Sequence, residues 1–335
     1  MAGGRLVAWH GFVYDRLYMF PPRGSSCSAL LVFLAGSWVL AQSPRKPPAE
    51  ESAIARKATA LAESGHCAEA FPPLKKSLGQ LSDKDLKRKV GLDGVHCAMT
   101  LNNPASATEF LEVLMREFPQ DPEVLYVAVH AYADLSTLAS QQLARNAPSS
   151  PQAQELLAEA FEAQGKWDEA EKQYRAILKQ NPKLPGIHFR LGRLLLSKPN
   201  PSPTVAEEAK REFEQELDID PLNAGAEYVL GELARQNQQW DQAINHFSRA
   251  AKLDPQFGEA FLGLGVSLIS EKRYPDAIPP LETAVKLEPK NPDAHYNLAT
   301  AYTRAGRKPE AEKEFAIHRQ LTGDAGGQPS PPAPQ

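Results

Sequence analysis

A repeat of 34 residues runs through the C-terminal half of this 335-residue chain. Segments starting at Ala224, Gly258 and Pro292 lie 34 residues apart and align small residues on small and bulky on bulky. The first holds Leu230, Gly231, Ala234, Trp240, Ala243, Phe247, Ala250 and Pro255. The second holds Leu264, Gly265, Leu268, Tyr274, Ala277, Leu281, Ala284 and Pro289. The third holds Leu298, Ala299, Tyr302, Gly306, Ala311 and Phe315. The same order starts at Pro151, with Leu157, Ala158, Phe161, Gly165, Trp167, Ala170, Tyr174 and Pro182. A further unit starts at Pro185 (Leu191, Gly192, Ala209, Phe213, Pro221), and five extra residues within 198–203 stretch it to 39. A period of this size marks a supersecondary unit that buries its apolar face only by stacking on its neighbours.

Each unit reads as two helices. Phe261, Leu264 and Leu268 share one helical face, and Ala277, Leu281, Ala284 and Leu287 share another. Gly231, Ala243, Gly265 and Ala277 let paired helices approach closely, while Tyr174, Phe247, Leu281 and Phe315 fill the space between units. Asp168 and Asp241 stand where the second helix begins and are expected to cap it. Pro182, Pro221, Pro255 and Pro289 end that helix, because proline lacks the required donor. The expectation is an all-α chain.

This order of residues at this spacing resembles the tetratricopeptide repeat. The resemblance covers 151–322 as five repeats, 151–184, 185–223, 224–257, 258–291 and 292–322. It implies antiparallel helix pairs stacked into an α-solenoid with a right-handed superhelical twist. It also implies a concave face lined by the first helix of each pair. At the fifth position of the repeats this puts Glu155, Phe189, Tyr228, Leu262 and Tyr296 on that face. The ninth position adds Glu159, Arg193, Glu232, Val266 and Thr300, and the twelfth Glu162, Leu196, Arg235, Ile269 and Thr303. The face reads as an acidic entrance, then an aromatic and aliphatic strip with Arg193 and Arg235 beside it. Such a strip suits a peptide or protein segment, with rings supplying area and arginines fixing polar groups. The Lys and Asn by which some members clamp a C-terminal carboxylate are absent; Glu155 and Glu159 occupy those positions.

Residues 51–150 read as degenerate hairpins of the same kind. One pair is expected over 54–81, a second over 83–101 and 104–118, and a third over 122–133 and 136–146. Pro72 and Pro73 fall in phase with Pro279 and Pro280, near the start of a second helix where missing donors cost least. His66-Cys67 and His96-Cys97 leave three readings open: a disulfide, two buried thiols or a metal site. Adjacent helical residues point about 100° apart, which disfavours metal. In an exported protein a pair of cysteines usually bridges. In stacked antiparallel hairpins Cys67 and Cys97 lie at helix ends that meet, so Cys67–Cys97 is expected as a disulfide.

Residues 29–40, ALLVFLAGSWVL, form an apolar run too short to span a membrane but suited to a secretory signal. With Arg23 before it and small residues after, 1–41 reads as a signal peptide cleaved near Ala41. A start at Met19 gives a compact version. The expected location is therefore periplasmic or secreted, and membrane association is expected only if the leader stays uncleaved. Residues 42–50 read as a flexible linker and 323–335, rich in Pro and Gly, as a disordered tail. Without 1–41 the chain keeps 34 basic and 40 acidic side chains, a net charge of −6 that argues against nucleic acid. No phosphate-binding glycine loop, nucleophile elbow or zinc-protease motif occurs. The expectation is a non-catalytic scaffold without cofactor or metal that binds protein. The alternative is a structural component of an envelope complex that self-associates as a homo-oligomer.

Overall fold

The computed structural model describes residues 48–199 and 204–323, among which there are 15 α-helices and no strand. The expected signal peptide, the linker before residue 48, residues 200–203 of the insertion and 324–335 of the tail lie outside the described residues. The described residues divide into two compact units, one ending at Pro148 and the other beginning at Ser149.

The first unit holds α1 (Pro48–Glu63), α2 (Cys67–Leu78), α3 (Lys84–Thr100), α4 (Pro104–Glu117) and α5 (Pro122–Asn146). Pro48, Ala49 and Glu50, expected in the linker, instead open α1. Asp83, Asn103 and Asp121 accept hydrogen bonds from free N–H groups of α3, α4 and α5, which fixes where these helices begin. Leu74, Val90, Phe110, Leu111, Leu114 and Val124 close the core between the hairpins. The third expected pair does not form, because 122–146 is one continuous helix of 25 residues. Neither Gly nor Pro interrupts it. Thr137 and Ser140, which could have started a turn, donate to the carbonyls of Ala133 and Ser136 four residues back and stay helical.

Cys67 begins α2, Cys97 lies in the last turn of α3, and the two form a disulfide with Cα atoms 4.9 Å apart. Both residues are buried in the core of this unit.

The second unit holds ten helices in five antiparallel pairs: α6 (Pro151–Ala163) with α7 (Trp167–Gln180), α8 (Ile187–Ser197) with α9 (Val205–Ile219), α10 (Ala224–Gln236) with α11 (Trp240–Leu253), α12 (Gly258–Ser270) with α13 (Tyr274–Leu287), and α14 (Pro292–Arg304) with α15 (Lys308–Thr322). Phe247 shows how the pairs stack. Its ring is buried between α10 and α12, at positions that are Gly231 and Gly263. A Cβ at either glycine would lie 2.8 or 2.7 Å from the ring, closer than real contacts allow. The turns inside four of the pairs, α6–α7, α10–α11, α12–α13 and α14–α15, place one residue in the left-handed region. Gly165 (φ 69°) and Gly306 (φ 81°) supply it without strain, whereas Gln238 (φ 56°) and Lys272 (φ 60°) adopt it with a Cβ.

Two local expectations fail. Asp168 and Asp241 do not cap the second helices: the N-cap residues there are Lys166 and Gln239, and neither makes a side-chain cap. Trp167 and Trp240 already occupy the first helical position, one step before the aspartates. Asp168 instead pairs with Lys198 at 2.6 Å. Pro72, Pro73, Pro279 and Pro280 lie inside α2 and α13, beyond the first turn whose donors are free.

Candidate interaction face

The face expected to bind is built by the first helices of the second unit. On α10 Tyr228, Glu232 and Arg235 recur at i, i+4 and i+7, the spacing of one helical face. Leu262, Val266 and Ile269 do the same on α12, and Tyr296, Thr300 and Thr303 on α14. α12 packs against both α10 and α14, so these rows are neighbours.

The charged end is closed on itself. Arg190 Nε meets Glu155 at 2.7 Å and Arg190 Nη1 meets Glu159 at 2.6 Å. Arg193 Nη2 lies 3.2 Å from Glu162, whose other oxygen accepts the Tyr174 hydroxyl at 2.7 Å. Burial and Glu162 hold the Tyr174 hydroxyl far above the ordinary phenol range. Burial also raises the Glu155 carboxyl, against the pull of Arg190. Arg235 grips Glu232 with two bonds, Nε to Oε1 at 3.1 Å and Nη2 to Oε2 at 2.7 Å. Arg193 and Arg235 therefore neutralise neighbouring carboxylates, a role different from the expected one of fixing a ligand's polar groups. Arg190, the central cation of this network, was not among the expected residues. An arginine one position after Phe189, facing two glutamates a repeat earlier, was the available signal.

The rings divide into two kinds. Phe189 is only 8% exposed and packs edge-on against Phe213, centroids 5.6 Å apart. Phe213 lies flat over Gly192, which has no Cβ to hold it off, and its ring reaches Phe189. Phe189 is thus a core residue, and this corrects its expected place on the binding strip. Tyr228 and Tyr296 are half-buried. Tyr228 rests on Phe247 and Phe257 at 5.7 and 4.8 Å, and Tyr296 rests on Phe315 and His318 at 5.9 and 5.4 Å. Burial, reinforced by Glu232 and Glu259, pushes the Tyr228 hydroxyl well above its usual range. Leu262 and Ile269 touch the core around Leu268 and Leu281 with part of their surface, and Val266 stands between them half-buried. Tyr228, Leu262, Val266, Ile269 and Tyr296 thus form the partly open apolar area of the face.

Together the helix pairs, their period and the small-on-bulky contacts define an all-α solenoid built for protein interaction. Residues 151–321 carry tetratricopeptide repeats: patterns of that repeat match residues 151–194, 206–256, 228–282 and 268–321. The "Protein CTR9 homolog" of Arabidopsis thaliana is 31% identical over 118 residues, which is 34% of this chain and 10% of that protein. The chain thus spans about a tenth of that relative's length. Solved structures with a similar fold include YrrB, described as a TPR protein with an unusual peptide-binding site. It is 19% identical, with a TM-score of 0.48 and coverage of 56% of this chain and 94% of that one. MamA (residues 41 to the end) from Desulfovibrio magneticus RS-1 is 17% identical, with a TM-score of 0.46 and coverage of 53% and 97%.

Proposed function

We propose that the protein is a non-catalytic scaffold that binds a peptide or protein segment on the face formed by α10, α12 and α14. The carrying observation is the row Leu262, Val266 and Ile269. It is apolar, half-buried and flanked by Tyr228 and Tyr296, while the arginines beside the strip are engaged by carboxylates of the chain itself. An apolar row with its charged neighbours satisfied favours a partner segment that presents apolar side chains over one read by charge. The proposed location is the periplasm or another exported space, after cleavage of the leader near Ala41. The Cys67–Cys97 bridge supports that location, since disulfides persist in oxidising compartments.

The test is selection of binders from a displayed random-peptide library on the chain lacking residues 1–41. Selected peptides are expected to be rich in apolar residues and to lose binding to Val266→Arg. They should keep binding to Leu222→Arg, which changes an apolar side chain 73% exposed in a turn elsewhere. Peptides that bind both variants equally would remove this face from the account.

Self-association is the second reading. It is supported by α15, the last described helix, in which only Ala311 is buried and Leu321 is 38% exposed. A concentration-independent monomer mass in light scattering up to millimolar protein would eliminate it.

A further inference from the structure

Among the described residues nine large apolar side chains stand exposed, and four of them, Leu125, Tyr126, Val129 and Tyr132, fall within eight residues of α5. α5 packs on α3 and α4, and its buried residues are Val124, Ala128 and Ala131, all in its first half. Its exposed side carries a second period. Leu125, Val129, Tyr132, Ser136, Ala139 and Leu143 recur at alternating steps of four and three, the seam of a two-helix coiled coil. The row is exposed from Leu125 to Ala139, and Leu143 is half-buried. At about 100° per residue, Glu123, Asp134 and Arg145 fall on the opposite side of the helix, so no charge interrupts the row.

The row is uneven along its length. Its first half is bulky, whereas its second half holds Ser136 and Ala139. A parallel copy would set Tyr132 on Tyr132 and Ser136 on Ser136, a clash followed by a void. An antiparallel copy, with the two-fold axis at the height of Asp134, sets Tyr132 against Ser136, Val129 against Ala139 and Leu125 against Leu143. Bulky then meets small in both inner layers, and the patch is its own complement, as a two-fold interface requires. Tyr126, at the edge of the row, has its ring edge-on to His130 with centroids 4.5 Å apart, and stands level with Ser140 of the other copy. From Leu125 to Leu143 the seam runs about 27 Å along the helix. Tyr126 is 66% exposed and Tyr132 46%, which leaves roughly 200 Å² of the two side chains open in each copy. With Leu125, Val129 and the small residues, two copies would bury on the order of 1,000 Å², the low end for a specific interface and suited to a dimer that exchanges with monomer.

We propose that two copies of the chain pair through α5 as an antiparallel, two-fold symmetric dimer, Leu125, Val129 and Tyr132 of each copy packing on Leu143, Ala139 and Ser136 of the other. The inference rests on the self-association reading and gives it a surface in the first unit, separate from α15. It also leaves the face of α10, α12 and α14 untouched in each copy, so the dimer would present that face twice.

Two measurements on the full chain test this. In sedimentation equilibrium the parent should move between monomer and dimer with concentration. Val129→Glu, at a site 66% exposed and so without effect on folding, should weaken the dimer by about tenfold or more, since it places two charges in the seam. The second measurement reads the register. The chain has three cysteines, of which Cys67 and Cys97 are bridged, so in a Cys27→Ser background an added cysteine is the one free thiol. Leu125→Cys and Leu143→Cys, each oxidised alone, should stay uncrosslinked, and an equal mixture of the two should give a covalent dimer. A parent that is monomeric at every concentration would overturn both this proposal and the self-association reading, and leave the row to a different protein. A dimer indifferent to Val129→Glu, or one crosslinked by Leu125→Cys alone, would overturn the antiparallel pairing while self-association stands.

Discussion

Gly263→Ala places one methyl group against the Phe247 ring, and its sign reports whether that ring is locked. Removing a glycine from a helix interior stabilises it by about 0.5–1 kcal/mol. If Phe247 could yield, the variant would gain that amount. The new Cβ would lie 2.7 Å from the ring, however, some tenths of an ångström inside the tightest ordinary contact. The ring has no room to retreat. On its other side the backbone of α10 is equally close, since a Cβ at Gly231 would be 2.8 Å away, and Tyr228 stacks on it at 5.7 Å. Overpacking of this kind costs about 1–3 kcal/mol. Set against the gain in helix propensity, a net loss of up to about 2 kcal/mol is expected. At about 2–4 °C per kcal/mol for a unit of this size, the melting temperature should fall by up to about 8 °C. Circular dichroism and Trp240 fluorescence during urea unfolding would follow the whole unit and the affected pair separately, which matters because repeat arrays can unfold in parts. Phe247→Leu in the same chain should recover part of the loss, since a shorter side chain leaves space for the methyl. A Gly263→Ala variant more stable than the parent would refute the packing of α10, α11 and α12 on this ring.

Gln238→Gly and Lys272→Gly should each stabilise the second unit by up to about 1 kcal/mol, since both positions hold a Cβ at positive φ; thermal unfolding measures it, and a lower melting temperature for both would contradict the turn geometry. Replacing Cys67 and Cys97 together with Ser should cost the first unit about 3–4 kcal/mol, from a loop closed across a separation of 30 residues. Urea unfolding with and without reductant should give the same loss in the parent chain. Hydrogen bonds from Arg88, then from the Val124 N–H, hold the Asp121 carboxyl down at about 2. A depressed carboxyl stabilises the fold above its unfolded range near 4 and loses that contribution as pH falls toward 2. Arg88→Met should therefore make acid unfolding of the first unit begin at higher pH, and an unchanged acid midpoint would count against the bridge from α3 to α5.

The pair boundaries were legible because the period carries them. The starts at Ala224, Gly258 and Pro292 are the first residues of α10, α12 and α14, and the small residues opposite Phe247 and Leu281 are the close contacts found. Legibility fails where structure depends on residues far apart in sequence. The first helix of the second repeat begins at Ile187, behind Gly186 at φ 87°, with no capping side chain of its own. Glu216, 30 residues on and fully buried, accepts the Gly186 and Phe189 N–H groups instead. It stands where the third and fourth repeats have Ala250 and Ala284, so locally it reads as an exposed glutamate on a charged helix. The continuity of α5 was hidden for the opposite reason: 122–146 has no period to follow, and the absence of Gly and Pro was the better guide.

The interaction face shows the same division. Helical spacing identifies which residues share a side, and Tyr228, Leu262, Val266, Ile269 and Tyr296 remain together there. Spacing does not say which are already occupied. That depends on contacts between consecutive repeats, and Arg190 with Glu155 and Glu159, Arg193 with Glu162, and Phe189 on Phe213 all arise from stacking. Two arginines beside a strip look like ligand-binding groups until their carboxylates are located. Once they are paired, pulling either from its partner would leave a half-buried charge behind, a larger cost than a surface contact with a ligand returns. The open part of the face is therefore the part without charge to satisfy, and discrimination among partners would rest on the shape and apolar area that α10, α12 and α14 present.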